Sequence, residues 1–371
     1  MISSQYFIYF GTLGIFLPYF NLYCYHIGLS GFQIGALSAV RSVTLVFFPL
    51  IWGKVADRYQ ARKRIYILCN FICTGIWIFY FHTTSFWPML VITICYGMFY
   101  APIISFLEAF TLDILGKEKK NYGKIRAWGS ISFILIVIIQ GYLIDIYSIN
   151  IILGLILTGS ILLSLVSVKI PDTRIKKEKN AGTDKKILTN KRVIIFLFCS
   201  FLMLVSHSAY YGFFSIHIEN MGYNNSFIGI AWALAAFAEI FVMIKSDFIF
   251  KRFSMENVLT FSFFMASIRW FLLFFIQSPA AILLSQLLHA VTYGAFHMAS
   301  ILYMDSLTPE GSKTMGQAIN NALTYGLGLM TGFFINGYLY EKTDSFTLFI
   351  ISGFIALAAG IIFKCNKGST L

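Results

Sequence analysis

Charged side chains interrupt several long apolar stretches of this 371-residue chain, and their types and spacing suggest chemistry. Glu108 lies within the sequence FLEAF, and Arg126 follows 18 residues later in YGKIRAWGS. Each is nine residues from Lys117, which is near the middle of the polar turn between them. Antiparallel helices would therefore place both at a similar depth. The two side chains either form an ion pair within a binding site, or each extends to a nearby aqueous surface.

A second group combines a carboxylate, a guanidinium and an imidazole. Glu239 and Arg269 lie 13 and 17 residues from the middle of the turn that joins their segments. At 1.5 Å per residue each is about 20 Å inside its helix. His289 lies at a comparable depth across the next turn. Protonation of Glu239 would free Arg269, and histidine titrates near neutrality, so this group could couple a process to protons. The alternative is a static ion pair that holds helices together.

Other polar residues within the apolar segments point less clearly to a function. Arg41 lies in the middle of its apolar segment, and no carboxylate is expected at that depth in the N-terminal half. It either bonds to carbonyls and polar atoms of the first segment or binds an anionic substrate. Tyr210 could offer a ring and a hydroxyl to a ligand. Either His207 or His297 could face a central cavity, but the favoured interpretation is that they are helix-interior histidines bonded to neighbours.

The elements that must carry these residues are membrane-spanning helices. Hydrophobic residues make up 58% of the chain, charged residues 12%, and the mean hydropathy is +0.75. Runs of about 20 apolar residues match the thickness of a bilayer, and short alternating segments typical of a barrel are absent. The pattern predicts twelve transmembrane helices, at residues 6–27, 32–52, 65–82, 88–113, 123–147, 149–169, 192–218, 226–250, 255–276, 279–305, 313–340 and 344–364.

The net charge of +12 reflects membrane topology rather than nucleic-acid binding. With the N-terminus inside, 25 of the 28 lysines and arginines fall on one side. This distribution predicts that both termini are cytoplasmic. The six cysteines are read as buried hydrophobic residues, so we expect no metal, no cofactor and no disulfide framework.

The chain divides into two similar halves. The polar stretch at 170–191 is predicted to be a cytoplasmic linker between an N-terminal bundle of six helices (1–169) and a C-terminal bundle (192–371). YGMFYAPIISFLEAF at 96–110 matches YGAFHMASILYMDSL at 293–307, which aligns Glu108 with Asp305. GLSGFQIG at 28–35 likewise matches GYNNSFIG at 222–229. Ordered repeats of this kind indicate a duplicated fold.

The loop sequence GKVADRYQARKR resembles the signature G-x-x-x-D-R-x-x-x-R-[KR] of the major facilitator superfamily. The resemblance implies two pseudo-symmetric bundles of six helices, with the substrate site between them near the midplane. In that family the acidic residue and the basic cluster latch the cytoplasmic side. Asp57, Arg58 and Arg62 therefore take a gating role by resemblance.

Within this superfamily the chain is similar to the branch that contains lactose permease, phenylpropionate transporters and nucleoside–proton symporters. The similarity covers nearly the whole chain. It gives Glu108 and Arg126 the roles of the sugar-binding carboxylate and guanidinium, and Tyr210 that of a cavity tyrosine. Glu239, Arg269 and His289 fall at the positions of the proton-coupling residues, which the resemblance places in helices 8, 9 and 10.

Two departures from the permease pattern bear on function. Thr292 replaces a proton-carrying carboxylate three residues after His289, so the coupling ion stays open. Phe133 replaces a tryptophan that stacks on the sugar in the permease, which argues against a lactose-like cargo.

Together these features predict a secondary active transporter, not an enzyme, that takes up a small polar or aromatic solute with protons. We expect a monomer in the inner membrane whose partners are the solute, protons and lipid. Export of a metabolite, drug or siderophore and a transport-inactive sensor are the alternatives. Familiar hydrolase, redox and phosphate-loop motifs do not occur in the sequence, which disfavours a membrane enzyme.

Overall fold

A computed structural model describes residues 1–172 and 190–367, and within these residues the chain is all α-helical. The helices follow the apolar runs of the sequence, and polar or glycine-containing turns separate them. Their bounds are α1 (Ile2–His26), α2 (Gly31–Tyr59), α3 (Arg62–Trp77), α4 (Phe86–Leu115), α5 (Tyr122–Ile146), α6 (Ile151–Ser167), α7 (Lys191–Asn220), α8 (Asn225–Ile244), α9 (Ser246–Arg252), α10 (Met255–Phe275), α11 (Pro279–Leu287), α12 (Phe296–Leu307), α13 (Lys313–Asn320), α14 (Leu329–Lys342) and α15 (Ser345–Lys367).

The predicted fold class is confirmed. Ten helical stretches of the described chain are long and apolar enough to cross a membrane, and Ile151–Ser167 is a shorter apolar helix. The tenth and eleventh predicted segments are composite, because a π-helical stretch joins α11 to α12 (Ala290–Ala295) and another joins α13 to α14 (Asn321–Gly328). The predicted linker falls mainly on residues 173–189, which lie outside the described residues.

The internal repeat appears in the turns that precede α2 and α8. Gly28 and Gly222 occupy equivalent positions and have φ angles of 83° and 86°, a left-handed conformation that costs glycine little. Two residues later, Ser30 accepts a hydrogen bond from the backbone of Gln33 at 3.3 Å. Asn224 accepts the corresponding bond, three residues on, at 3.0 Å. Both helices therefore begin with the same turn and the same kind of N-cap.

The described residues pack as two compact units. The first contains residues 1–172 together with 222–233, which form the start of α8. In it α1 packs against α5 and α6, and α2 and α3 pack against α4. The second contains residues 190–221 and 234–367. In it α7 and α10 pack against α15, and α7 also packs against α14. Each unit thus has its own helical core.

A close approach of α2 and α4 depends on Gly97. A Cβ atom at this position would lie only 2.8 Å from Cβ of Thr44 and 2.9 Å from its Cγ2. Thr44 has little freedom to move, because its hydroxyl donates to the carbonyl of Arg41 at 2.7 Å. The missing side chain at Gly97 therefore sets the distance between the helices that carry Arg41 and the neighbouring Tyr96.

We expect Gly97→Ala to destabilise the protein by about 1–3 kcal/mol, because the added methyl group overpacks the α2–α4 contact. The measurement is the unfolding midpoint of the purified protein in detergent. Gly154→Ala is the matched control, since a Cβ at Gly154 in α6 meets no atom within 4 Å. An equal midpoint for the two variants would contradict the packing argument.

Candidate functional site

The second unit contains a buried guanidinium surrounded by polar partners. Arg269 on α10 is 0% exposed. It donates hydrogen bonds to Nδ1 of His289 at 2.8 Å, to Oε1 of Gln286 at 2.8 Å and to Oγ1 of Thr292 at 3.3 Å. All three acceptors come from the composite segment that begins with α11. A positive charge in this position stays solvated by side chains rather than by water.

Glu239 on α8 completes this cluster through the imidazole. Its Oε2 lies 3.8 Å from Nε2 of His289. A guanidinium only donates hydrogen bonds, so Nδ1 of His289 must accept and the proton of the neutral ring must lie on Nε2, facing Glu239. Among the described residues no carboxylate lies within the 4.0 Å ion-pair distance of Arg269. The three predicted residues therefore contact one another in series, with His289 between Glu239 and Arg269. The carboxylate and the guanidinium do not pair directly.

Local backbone geometry brings these side chains together. The π-helical stretch Ala290–Ala295 begins immediately after His289 and includes Thr292. Insertions of this type are frequent at functional sites because they redirect side chains. Gly294 lies in the same stretch, and a Cβ there would be 3.2 Å from Cγ of Glu239. The absence of a side chain at Gly294 therefore allows α8 to bring its carboxylate beside the imidazole.

Aromatic rings form the walls of the cluster. Arg269 lies over the ring of Tyr210 at 4.3 Å and over that of Trp270 at 4.9 Å, both favourable cation–π distances. Tyr210 is 0% exposed and is part of this wall, so here it supports Arg269. Nδ1 of His207 donates to the carbonyl of Met203 at 2.8 Å, which agrees with its interpretation as a helix-interior histidine.

A column of stacked rings continues from the cluster through the first π-helical stretch into α12. Tyr293 stacks on His289 at 5.2 Å with an interplanar angle of 7°. His297 stacks on the other side of Tyr293 at 5.9 Å and 3°. Nδ1 of His297 is hydrogen bonded to the hydroxyl of Tyr325 in the second π-helical stretch. The column therefore joins both π-helical stretches to the Arg269 cluster.

The first unit holds the other predicted pair. Glu108 on α4 interacts with the charge of Arg126 on α5 and with the hydroxyl of Tyr122. No direct Glu108–Arg126 ion pair within 4.0 Å is present in the described chain. Arg126 instead lies 3.8 Å above the ring of Phe10, which packs into the space left by Gly129. Glu108 and Arg126 therefore attract each other without a direct ion pair, and the guanidinium of Arg126 rests on the ring of Phe10.

The remaining predicted binding residues also lie in the first unit. Arg41 on α2 is half-buried, and its guanidinium lies 4.8 Å above the ring of Phe16. Phe133 on α5 is half-buried and its backbone packs against Gly14 of α1. Phe133 and Arg126 both lie on α5.

Comparison with known proteins places this architecture in one family. The model of the MFS_1 like family matches residues 1–351, nearly the whole chain. The chain belongs to this family. It is similar to the "Probable 3-phenylpropionic acid transporter" of Escherichia coli (strain K12), with 28% identity over 366 residues, covering 96% of this chain and 95% of that protein. It is also similar to the maltose permease of Geobacillus stearothermophilus, with 22% identity, covering 91% of this chain and 86% of that permease.

The fold of this MFS_1 like protein matches a solved structure closely. A crystal structure of the nucleoside transporter NupG superimposes with a TM-score of 0.88, covering 100% of this chain and 98% of that chain at 19% sequence identity. This match confirms the predicted helical membrane fold, and the family match over residues 1–351 confirms the predicted membership of the major facilitator superfamily.

In this MFS_1 like chain the signature loop between α2 and α3 forms one clear ion pair. Nη1 of Arg62 lies 2.6 Å from Oδ2 of Asp113 near the end of α4. Arg58 lies over the ring of Tyr59 at 5.6 Å, and the carbonyl of Asp57 accepts a bond from Gln60. Asp113 was not among the residues singled out in the sequence, since nothing in the motif indicates its partner.

Gln286 is another residue of the Arg269 cluster that the sequence did not single out. Its signal was present, because Gln286, His289 and Thr292 recur at intervals of three in an apolar segment and so share one helix face. Thr292 also proves to be an acceptor for Arg269, so its hydroxyl has a structural role in the cluster.

Proposed function

We propose that this protein is a secondary active transporter that moves a small organic solute together with protons by alternating access. The observation that carries the proposal is the series of contacts from half-buried Glu239 through buried His289 to buried Arg269. The Nδ1 atom of His289 cannot take a proton without losing its bond from Arg269. Glu239 can take one while that bond stays intact. Its protonation would remove the negative charge facing His289, so proton binding would change the electrostatics of the cluster.

Names of relatives support a small organic cargo. They refer to 3-phenylpropionic acid, to maltose and to nucleosides. In our proposal Glu108, Arg126 and Phe133 orient the solute, Arg41 contacts it as well, and Tyr210 holds Arg269 in place. The protein would act as a monomer in the inner membrane with both termini in the cytoplasm, as the distribution of lysine and arginine favours.

The test uses purified protein in proteoliposomes with a pH-sensitive dye inside. Sugars, nucleosides and aromatic acids are added outside one at a time. The expected result is acidification of the interior with one class of solute, together with accumulation of that solute. Uptake of a labelled solute without proton movement would leave transport intact and overturn the coupling. If no member of the panel moved, the proposal of uptake would fail.

We also propose that the Arg62–Asp113 ion pair is part of a gate. Reversing one charge with Asp113→Arg should lower transport by about tenfold, because two cations would then face each other where an ion pair was. The double variant Arg62→Asp/Asp113→Arg restores opposite charges and should recover most of the rate. Initial uptake rates measure both effects. Equal rates for the single and double variants would show that the pair has no role in gating.

A further inference from the structure

Arg41 carries a positive charge that the described part of the protein leaves uncompensated. It is the eleventh residue of α2, about 15 Å from the start of that helix at 1.5 Å per residue. Its guanidinium makes no hydrogen bond or ion pair to any described residue, and it lies 4.8 Å above the ring of Phe16. Four tyrosines, Tyr9, Tyr80, Tyr96 and Tyr100, lie close enough to its charge to interact with it electrostatically.

The surroundings of Arg41 form a continuous row of rings. Phe16 stacks with Tyr96 at 6.5 Å, and Tyr96 stacks with Tyr100 at 5.1 Å. Tyr100 stacks with Tyr9 at 5.4 Å, and Tyr9 meets Phe10 edge to face at 5.0 Å. We call these five side chains the aromatic row. Tyr9, Phe16 and Tyr96 are buried within the row, whereas Phe10 and Tyr100 are half-buried. The exposed parts of Phe10 and Tyr100 are the surface that the row offers to a flat, weakly polar ring.

The two ends of the aromatic row differ in charge. Arg126 lies above Phe10 at one end, and its charge is offset by Glu108 nearby. Arg41 lies above Phe16 at the other end and has no such partner. The row as a whole therefore has one unbalanced positive charge, and that charge lies at the Arg41 end.

A purely structural role for Arg41 does not account for this arrangement. Bonding to helix carbonyls or to polar atoms of α1 would satisfy its five donors, and the described residues supply none of those bonds. A cation–π contact contributes about 0.5–2 kcal/mol, less than an unpaired guanidinium costs within a membrane. Because Arg41 is only half-buried, an anionic ligand can reach its guanidinium and supply the compensating charge.

We infer that Arg41 and the aromatic row bind an aromatic carboxylate, with the carboxylate on Arg41 and the ring against the row. The inference rests on the proposed transport function and names the class of cargo. A guanidinium matches the two oxygens of a carboxylate, and a single unbalanced charge matches a monoanion better than a phosphate dianion. Co-transport of this anion with one proton would be electroneutral.

The test compares two probes that differ only in charge. Binding of phenylacetate and of its neutral analogue phenylacetamide to the full-length protein is measured by calorimetry in detergent, at about pH 7.5, where the acid is ionised. We expect phenylacetate to bind at least about tenfold more tightly, a difference of about 1.4 kcal/mol. Phenyl phosphate, the competing anion class, should bind more weakly than phenylacetate. This comparison uses the unaltered protein, so it does not depend on the folding of a variant.

Variants then test whether Arg41 is the positive charge that distinguishes phenylacetate from phenylacetamide. Arg41→Gln should remove the preference for phenylacetate over the amide, and Arg41→Lys should keep part of it because the charge remains. Arg252→Gln is the control, since Arg252 on exposed α9 also lies over a ring, that of Phe253 at 6.0 Å. Equal affinities for the two probes, or an unchanged preference in Arg41→Gln, would overturn the inference.

The result also separates this inference from the proposed transport. If the proteoliposomes accumulate an uncharged solute while phenylacetate does not bind, the protein is a transporter and the carboxylate site is wrong. If phenylacetate binds but no solute moves, the site stands and transport is wrong. If phenyl phosphate binds more tightly than phenylacetate, Arg41 serves a different anion and the inference fails.

Discussion

Glu239→Gln is expected to abolish proton-driven accumulation while leaving exchange of solute across the membrane intact. The amide has the size of the carboxylic acid and cannot take up or release a proton. With one proton per solute, each unit of imposed pH gradient drives about tenfold accumulation in the wild-type protein, equivalent to about 1.4 kcal/mol. The variant should only equilibrate its solute. The measurement is uptake of labelled solute into proteoliposomes with and without a pH gradient.

Counterflow supplies the internal control for this prediction. It needs binding and movement of the loaded protein but no net proton transfer, so Glu239→Gln should retain it. Glu310→Gln is the matched chemical control, because the side chain of Glu310 is 90% exposed and pairs with Lys313 at 3.0 Å away from the cluster. Accumulation by Glu239→Gln at the wild-type level would show that the proton binds elsewhere.

Arg269→Gln is expected to produce the largest loss of stability. The guanidinium is fully buried and donates to Gln286, His289 and Thr292, so its removal leaves three buried acceptors without their donor. Hydrogen bonds to charged groups contribute about 1.5–3 kcal/mol each, and breaking a buried charged network costs about 3–5 kcal/mol. The measurement is the unfolding midpoint in detergent, followed by uptake at a temperature where the variant is still folded.

The exposed Arg252→Gln change provides the comparison for Arg269→Gln, because it removes the same charge without removing a buried hydrogen bond. Its midpoint should stay close to that of the wild-type protein. Arg269→Lys should fall between the two, since an ammonium keeps the charge but lacks the planar geometry that reaches separated acceptors. A normal midpoint for Arg269→Gln would mean that the cluster does not hold α10 to the segment containing His289.

Much of the fold could be predicted because the bilayer imposes a length and a composition on every helix that crosses it. Each predicted segment corresponds to helical structure. The N-cap residues and turn glycines of the repeat, at Gly28 and Gly222, also follow from local backbone chemistry. The π-helical stretches were not predicted, since one extra residue in a helical turn leaves the apolar pattern almost unchanged.

The candidate site was predicted less completely. Depth counting brought Glu239, Arg269 and His289 to one level, and they do meet in the structure. Counting residues from a turn gives depth but not the rotation of a helix about its axis. For that reason it could not show that His289 lies between the carboxylate and the guanidinium. It also could not show that Arg126 rests on Phe10 rather than in a direct pair with Glu108.

By itself the sequence determined the class of protein, the positions of the helices, the duplication of the fold and the depth at which charged residues lie within the membrane. These properties depend on composition and on spacing along one chain. The tertiary structure decided which charges have partners, because that depends on how helices distant in the sequence rotate and pack. Arg269 is surrounded by acceptors from a neighbouring segment, whereas the guanidinium of Arg41 lies over the ring of Phe16 and makes no hydrogen bond within the described residues. No count along the chain could distinguish these two arginines, since both occupy the middle of an apolar helix.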